Sequence, residues 1–152
     1  MTLIIRLATH EDGVAIVPHL RKADRDEVYW QSGLPPEMIV PLSVHAGSLC
    51  AEVDGRPQAL FGCAERSPLT RSASPWLLGT QWLEDNPVHV LRHSRRHVAK
   101  WQHTWHHLSN HVSAENAVSI AWLQWLGFTM DPVAPHGPLL KPFHKFWWEA
   151  NV

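Results

Sequence analysis

Between residues 87 and 111 the chain sets four Arg or Lys (Arg92, Arg95, Arg96, Lys100) and seven His (89, 93, 97, 103, 106, 107, 111) without one acidic residue. Such a run can meet anions, since guanidinium groups pair bidentately with phosphate or carboxylate oxygens. Its functional readings are a phosphate contact at the N-terminal end or an acidic partner along its length; a solvated outer stripe is the ordinary alternative. His93/His97 and His103/His107 have the i, i+4 spacing of a divalent-metal pair, but no HExxH and no clustered Cys or Asp completes a ligand set, so no native metal is expected. Nine tryptophans suggest stacking platforms for single-stranded nucleic acid. Trp101 and Trp105 share one apolar face, however, and Trp122, Trp125 and Leu126 another, which points to core packing. Trp147 and Trp148 alternate across a strand, so one of them is expected at the surface, where it could mark a homodimer interface.

The elements that must position these residues follow from periodicity. LIIRL at 3 to 7 reads as a strand, and Thr9 caps a helix that starts near Glu11 and runs to Trp30, with Pro18 early in it or breaking it. Pro35-Pro36 opens a second helical piece, PEMIVPLSVHA. Residues 48 to 54 and 58 to 64 flank Gly55-Arg56-Pro57 as a hairpin. After the loop SPLTRSASP, WLLGT at 76 to 80 reads as a short buried strand. A helix spans 87 to 108, with Leu91, Ser94, Val98, Trp101, Trp105 and Leu108 on its apolar face and His89, Arg92, His93, Arg96, Lys100, His103 and His107 opposite. A strand at 108 to 113, the helix of ENAVSIAWLQWLGF, the strand FTMD and a last strand near 143 to 148 complete an α/β sandwich with a mixed sheet.

Bulk properties narrow the function classes. A chain of 152 residues suits one domain, 1 to 152, able to bury a core without disulfides. Thirteen Lys plus Arg against 14 Asp plus Glu leave a net charge of −1, which on composition argues against a nucleic-acid partner and offers nothing to a membrane surface. Cys50 and Cys63 lack CxxC spacing and read as reduced, buried thiols. No 18-residue uncharged apolar run and no signal-peptide core occur, so a cytoplasmic location is expected.

The stretch NAVSIAWLQWLGF, 116 to 128, resembles the fourth-helix motif N-x-x-A-x-x-L-Y-x-x-x-G-F of the GNAT superfamily of N-acetyltransferases, and the element order resembles that fold along nearly the whole chain. WLLGT, SRRHVAKW and the N-x-V-x-x-x-N spacing from Asn110 to Asn116 are similar to acetyltransferase-like proteins of podovirus-type bacteriophages. The resemblance implies a GNAT-like, largely antiparallel sheet of six to seven strands with about four helices. It further implies acetyl-CoA as cosubstrate, its pantetheine arm lying between strands 76 to 80 (Leu78, Gly79, Thr80) and 108 to 113 (Asn110), with Asn116 as cap and polar contact. The implied acceptor is an amine, on a host protein if the protein is phage-encoded.

Two positions depart from the family pattern. Its phosphate turn, Q/R-x-x-G-x-G/A, aligns with RHSRRH, 92 to 97, which has no glycine; Arg92, Arg95 and Arg96 would then neutralise phosphate through side chains. The family's tyrosine four residues before the motif glycine is Leu123 here, so a departing thiolate would take its proton from water or from a histidine such as His111. Glu52, Glu65 and His111 are the candidates for the base that deprotonates the amine, and a backbone N–H near Leu78 or Gly79 is the expected oxyanion donor. The alternative reading is a catalytically impaired GNAT-fold binding protein acting as a host-directed effector or a virion-associated component.

Overall fold

The computed structural model describes residues 1–151. Eight strands form one sheet in the order β1-β2-β3-β4-β5-β8-β6, and β7 joins the other end of β8. In chain order they are β1 Leu3–Leu7, β2 Leu49–Val53, β3 Arg56–Ser67, β4 Ser72–Gly79, β5 His107–Ser113, β6 Thr129–Met130, β7 Ala134–His136 and β8 Lys141–Glu149. Every neighbouring pair is antiparallel except β4 with β5. The helices are α1 His10–Ile16, α2 Lys22–Ser32, α3 Pro36–Ser43, α4 Trp82–Asp85, α5 Pro87–Thr104 and α6 Ala117–Trp125. No helix among the described residues is long and apolar enough to cross a membrane.

Local chemistry accounts for the element ends. Thr9 and Asp12 make a reciprocal capping box at the start of α1. The single long helix expected from residue 11 to 30 is two: Pro18 opens a 3-10 turn, Leu20 is extended, and α2 starts anew at Lys22. The first hairpin is tighter than Gly55-Arg56-Pro57 suggested, because Asp54 (φ 49°) and Gly55 (φ 83°) form a two-residue turn and Val53 already pairs with Arg56. The loop expected at 67 to 75 shrinks to four residues, 68 to 71. Ser72, Ala73, Ser74 and Pro75 continue β4 instead, paired with Ser67, Glu65, Ala64 and Cys63 of β3.

Alternation along the strands sends side chains to two layers. Cys50 and Leu60 pack with Ile16, Val17, Leu20 and Val40 under α1 to α3. Their neighbours Ala51 and Ala59 pack with Leu83 and Val90 under α4 and α5. On the second face the core continues through Val98, Leu108, Val112, Phe128 and Phe146, with Trp101, Trp105 and Leu123 against them. Complete burial of one such aliphatic side chain stabilises by about 1.5–3 kcal/mol. Trp101, Trp105 and Trp122 thus serve packing as expected, whereas Trp125 is 46% exposed and lies under the Arg95 guanidinium at 4.0 Å. Neither Trp147 nor Trp148 is exposed: the Trp147 indole donates to Asp131 at 2.8 Å and Trp148 packs into the core, so the expected surface tryptophan is not on β8.

Candidate active site

A split in the sheet defines the site. The parallel ladder of β4 with β5 holds only at Ser72–His107 and Ala73–Leu108, and the strands then diverge. Pro75 explains where it stops. Gly79 gives its N–H to Asp24 and its carbonyl to Arg21, each at 2.9 Å, so its backbone faces away from β3. Alternation places Leu77, Pro75 and Ala73 on that same side. Pro75 has no N–H to offer β5, and its carbonyl accepts from the Asn110 side chain at 3.0 Å across the gap. Beyond that bridge Leu77 presents both its N–H and its carbonyl to the wedge.

A cavity of about 220 Å³ passes through this wedge. On the α1 to α3 side it is bounded by Glu27, Gln31 and Trp76, and on the other side by Leu77, Val98 and Trp122. Residues from both layers therefore line one continuous space, so two molecules can approach one point from opposite faces of the sheet.

The polar wall of the wedge comes from α2. Arg21 and Asp24 form a bidentate pair at 2.9 and 3.0 Å, with side chains 3% and 2% exposed. By holding both backbone groups of Gly79, they fix the start of α2 to the end of β4. A Cβ there would lie 2.0 Å from Leu83 Cδ1, so any larger residue would displace Leu83, which closes over the strand end. One turn further along α2, Glu27 Oε1 accepts from the Ser113 N–H and from the Asn116 side chain, both at 2.9 Å. Burial pushes the Glu27 carboxyl up to about 7, against the pull of those two donors.

The residues singled out in the sequence divide sharply. His111 reaches the cavity; its ring stacks on His136 at 3.7 Å, and burial first and His136 second hold it below the usual imidazole range. Glu52 is outside, paired with Arg6 at 3.1 Å, and Glu65 is exposed on β3, so neither carboxylate faces the wedge. Asn116 caps α6 through the Ser119 N–H and spends its amide on Glu27. Asn110 bridges the strands and also accepts the His111 N–H at 2.8 Å. Leu78 lines the cavity but its backbone faces β3, Gly79 N–H is held by Asp24, and Thr80 N–H donates to Gln58. The backbone N–H left facing the wedge is therefore that of Leu77, one residue before the expected pair. Glu27 and Leu77 were not foreseen; the gap between strands 76 to 80 and 108 to 113 was implied by the family resemblance, whereas Pro75, which marks where it begins, lay in the expected loop.

The arginines are misplaced for a phosphate turn. Residues 92 to 97 lie inside α5, where backbone N–H groups are consumed by the helix ladder, and none of Arg92, Arg95 and Arg96 lines the cavity. The segment that does follow β4 has few donors to spare: Trp82, Leu83, Glu84, Asp85 and Asn86 all give their N–H groups to Thr80, Gln81 or Trp82. Position 87 is proline, and Glu84 and Asp85 add negative charge. His89 and His93 do not belong to the outer stripe of α5 either; they face the cavity, and burial lowers His93. Among the described residues no group of three or more His, Cys, Asp or Glu could hold a metal.

No protein-family model and no curated protein matches the sequence. Solved structures do match its shape. A GCN5-related N-acetyltransferase from Kribbella flavida superposes with a TM-score of 0.68 at 20% identity, over 97% of this chain and 98% of that one. Ard1 from Thermoplasma volcanium gives 0.69 at 11% identity over 100% of both chains. An N-acetyltransferase from Staphylococcus aureus Mu50 gives 0.67 at 16% identity over 98% and 99%. The chain has the GNAT acetyltransferase fold. The eight strands and six helices contain the expected largely antiparallel sheet, FTMD included as β6, the additions being the short β7 and α4 and the division of the first helix.

Proposed function

We propose that the protein is an N-acyltransferase that moves an acetyl group from a pantetheine thioester, acetyl-CoA being the simplest donor, to an amine. The observation that carries this reading is the through-sheet cavity, which brings an unpaired β4 backbone edge and an enclosed carboxylate with an elevated pKa into one space. An arm of alternating amides entering from the α5 and α6 side can pair with Leu77 as an added strand would. The amine approaches from the α2 side, where Glu27, Gln31 and Trp76 face the same cavity.

The chemistry follows from these positions. Glu27, half ionised near neutral pH, accepts a proton from the entering ammonium group. The neutral amine attacks the thioester carbon, and negative charge develops on the carbonyl oxygen opposite Leu77 N–H. The new C–N bond forms as the C–S bond breaks. The attacking nitrogen sheds its second proton as it becomes an amide, and water or the neutral His111 imidazole relays that proton to the departing thiolate, since Leu123 occupies the position of the family tyrosine and has no acidic proton. Resemblance to phage acetyltransferase-like proteins adds a host protein as the proposed acceptor.

A second reading has its own observation. The scarcity of spare backbone donors after β4, where residues 82 to 86 are all bonded, favours a GNAT-fold protein that binds a partner without transferring acetyl. Mass spectrometry of a mixture of acetyl-pantetheine, acetyl-CoA and a panel of primary amines separates the two. The transferase reading expects enzyme-dependent N-acetylation that is lost in Glu27→Gln; product formation equal to the protein-free control would leave only the binding reading.

A further inference from the structure

We infer that the natural donor is a phosphopantetheine thioester carried on an acidic protein, docked along the outer face of α5; this rests on the transferase reading above. Coenzyme A brings a pyrophosphate and a 3′-phosphate to the end of β4, and the chain meets them there with Glu84, Asp85, Pro87 and the already bonded N–H groups of residues 82 to 86, so that only the first turn of α5, Val88 and His89, has donors to give. A phosphopantetheine arm esterified to a protein brings a single phosphodiester charge to that point, which lowers the repulsion several-fold. The pantetheine portion that enters the wedge is the same in both.

The positive charge that a coenzyme A site would concentrate at the strand end lies instead along α5. Arg92, Arg96 and Lys100 are exposed and step by four residues, a row about 12 Å long at ~1.5 Å per residue. Among the described residues none of Arg92, Arg95, Arg96 and Lys100 makes an ion pair. Like charges at i, i+4 disfavour a helix by a few tenths of a kcal/mol per pair, so nothing within the protein compensates the row. An acidic surface laid along it does, and steers the encounter as well. Of acidic partners, one that carries a thioester arm also accounts for the wedge next to the helix.

Calorimetry tests this without knowledge of the acceptor. The titrants are pantetheine, coenzyme A, an acidic acyl carrier protein with and without its phosphopantetheine arm, and single-stranded DNA. We expect the armed carrier to bind at least tenfold tighter than coenzyme A, to weaken steeply from 50 to 300 mM salt, and to lose at least tenfold in Arg92→Glu/Arg96→Glu. Pantetheine affinity should be unchanged in that variant, which also shows that it is folded. Coenzyme A binding as tightly as the armed carrier, or carrier affinity indifferent to charge reversal, overturns the inference. So does equal binding of the armless carrier, or salt-dependent binding of single-stranded DNA on the same row with the carrier ignored. If pantetheine, coenzyme A and armed carrier all fail to bind, the transferase reading itself falls.

Discussion

Replacing Glu27 by Gln should separate chemistry from stability in one variant. The change is nearly isosteric, and the amide oxygen can still accept from Ser113 N–H and Asn116 Nδ2, the two donors now 2.9 Å from Oε1. The rise of the native carboxyl from 4.5 to about 7 corresponds to about 3 kcal/mol of preference for its protonated form, at ~1.4 kcal/mol per pH unit. Because the native pKa lies above the unfolded one, the associated stability is fully present below pH 4.5 and is lost as pH rises through about 7. Gln carries no such dependence. The variant should therefore match the parent near pH 4.5 and exceed it at pH 8.5 by up to about 3 kcal/mol, or roughly 6–10 °C in Tm for a chain of this size. Thermal unfolding followed by circular dichroism across that range reads the effect. Acetyl transfer by the same variant should fall by about 10²–10⁴, as expected for loss of a positioned base. Equal pH dependence of Tm in both proteins would refute the enclosed carboxylate, and a transfer rate within threefold of the parent would refute its role as base.

Three further outcomes follow from the same geometry. Asp24→Ala leaves the enclosed Arg21 guanidinium with only its 3.5 Å contact to Glu84 and frees Gly79 N–H; chemical denaturation should show a loss of about 3 kcal/mol. Leu77→Pro removes the N–H that faces the wedge without removing one that faces β3, as native Pro75 already does two residues earlier, so transfer should fall by about 10²–10³ while far-UV circular dichroism is retained. Burial pushes Cys50 up to about 11 and Cys63 up to about 12, so at pH 8 neither should react with iodoacetamide within an hour in the native protein, whereas both should react in 6 M guanidinium.

What the sequence discloses about this protein depends on how local the determining interaction is. The end of α6 is written in consecutive residues: Gly127 (φ 98°) follows the last turn, and Phe128 N–H returns to Leu123 O and Gly127 N–H to Gln124 O. The Thr9 cap and the Asp54-Gly55 turn are of the same kind. The phosphate turn was misplaced because RHSRRH offers the charge such a site needs, while helical periodicity, read over 87 to 108 and observed over Pro87–Thr104, already assigns those N–H groups elsewhere. Glu27 was invisible for a different reason. It sits in the mixed-charge run KADRDEVYW, which reads as an ordinary solvated helix face, and its partners Ser113 and Asn116 lie 86 and 89 residues away. Pro75 was legible as a residue that cannot donate to a neighbouring strand, but only once 72 to 75 are recognised as strand.

The central claim is that the wedge between β4 and β5 receives a pantetheine thioester along the backbone of Leu77. Amide NMR spectra of the protein titrated with acetyl-pantetheine test it most directly. The account predicts that the largest shifts fall on Leu77 and on Asn110 to Ser113, saturating together in the millimolar range, with the outer residues of α5 unmoved. An unchanged Leu77 amide at saturating ligand, or shifts confined to the surface of α5, would contradict it.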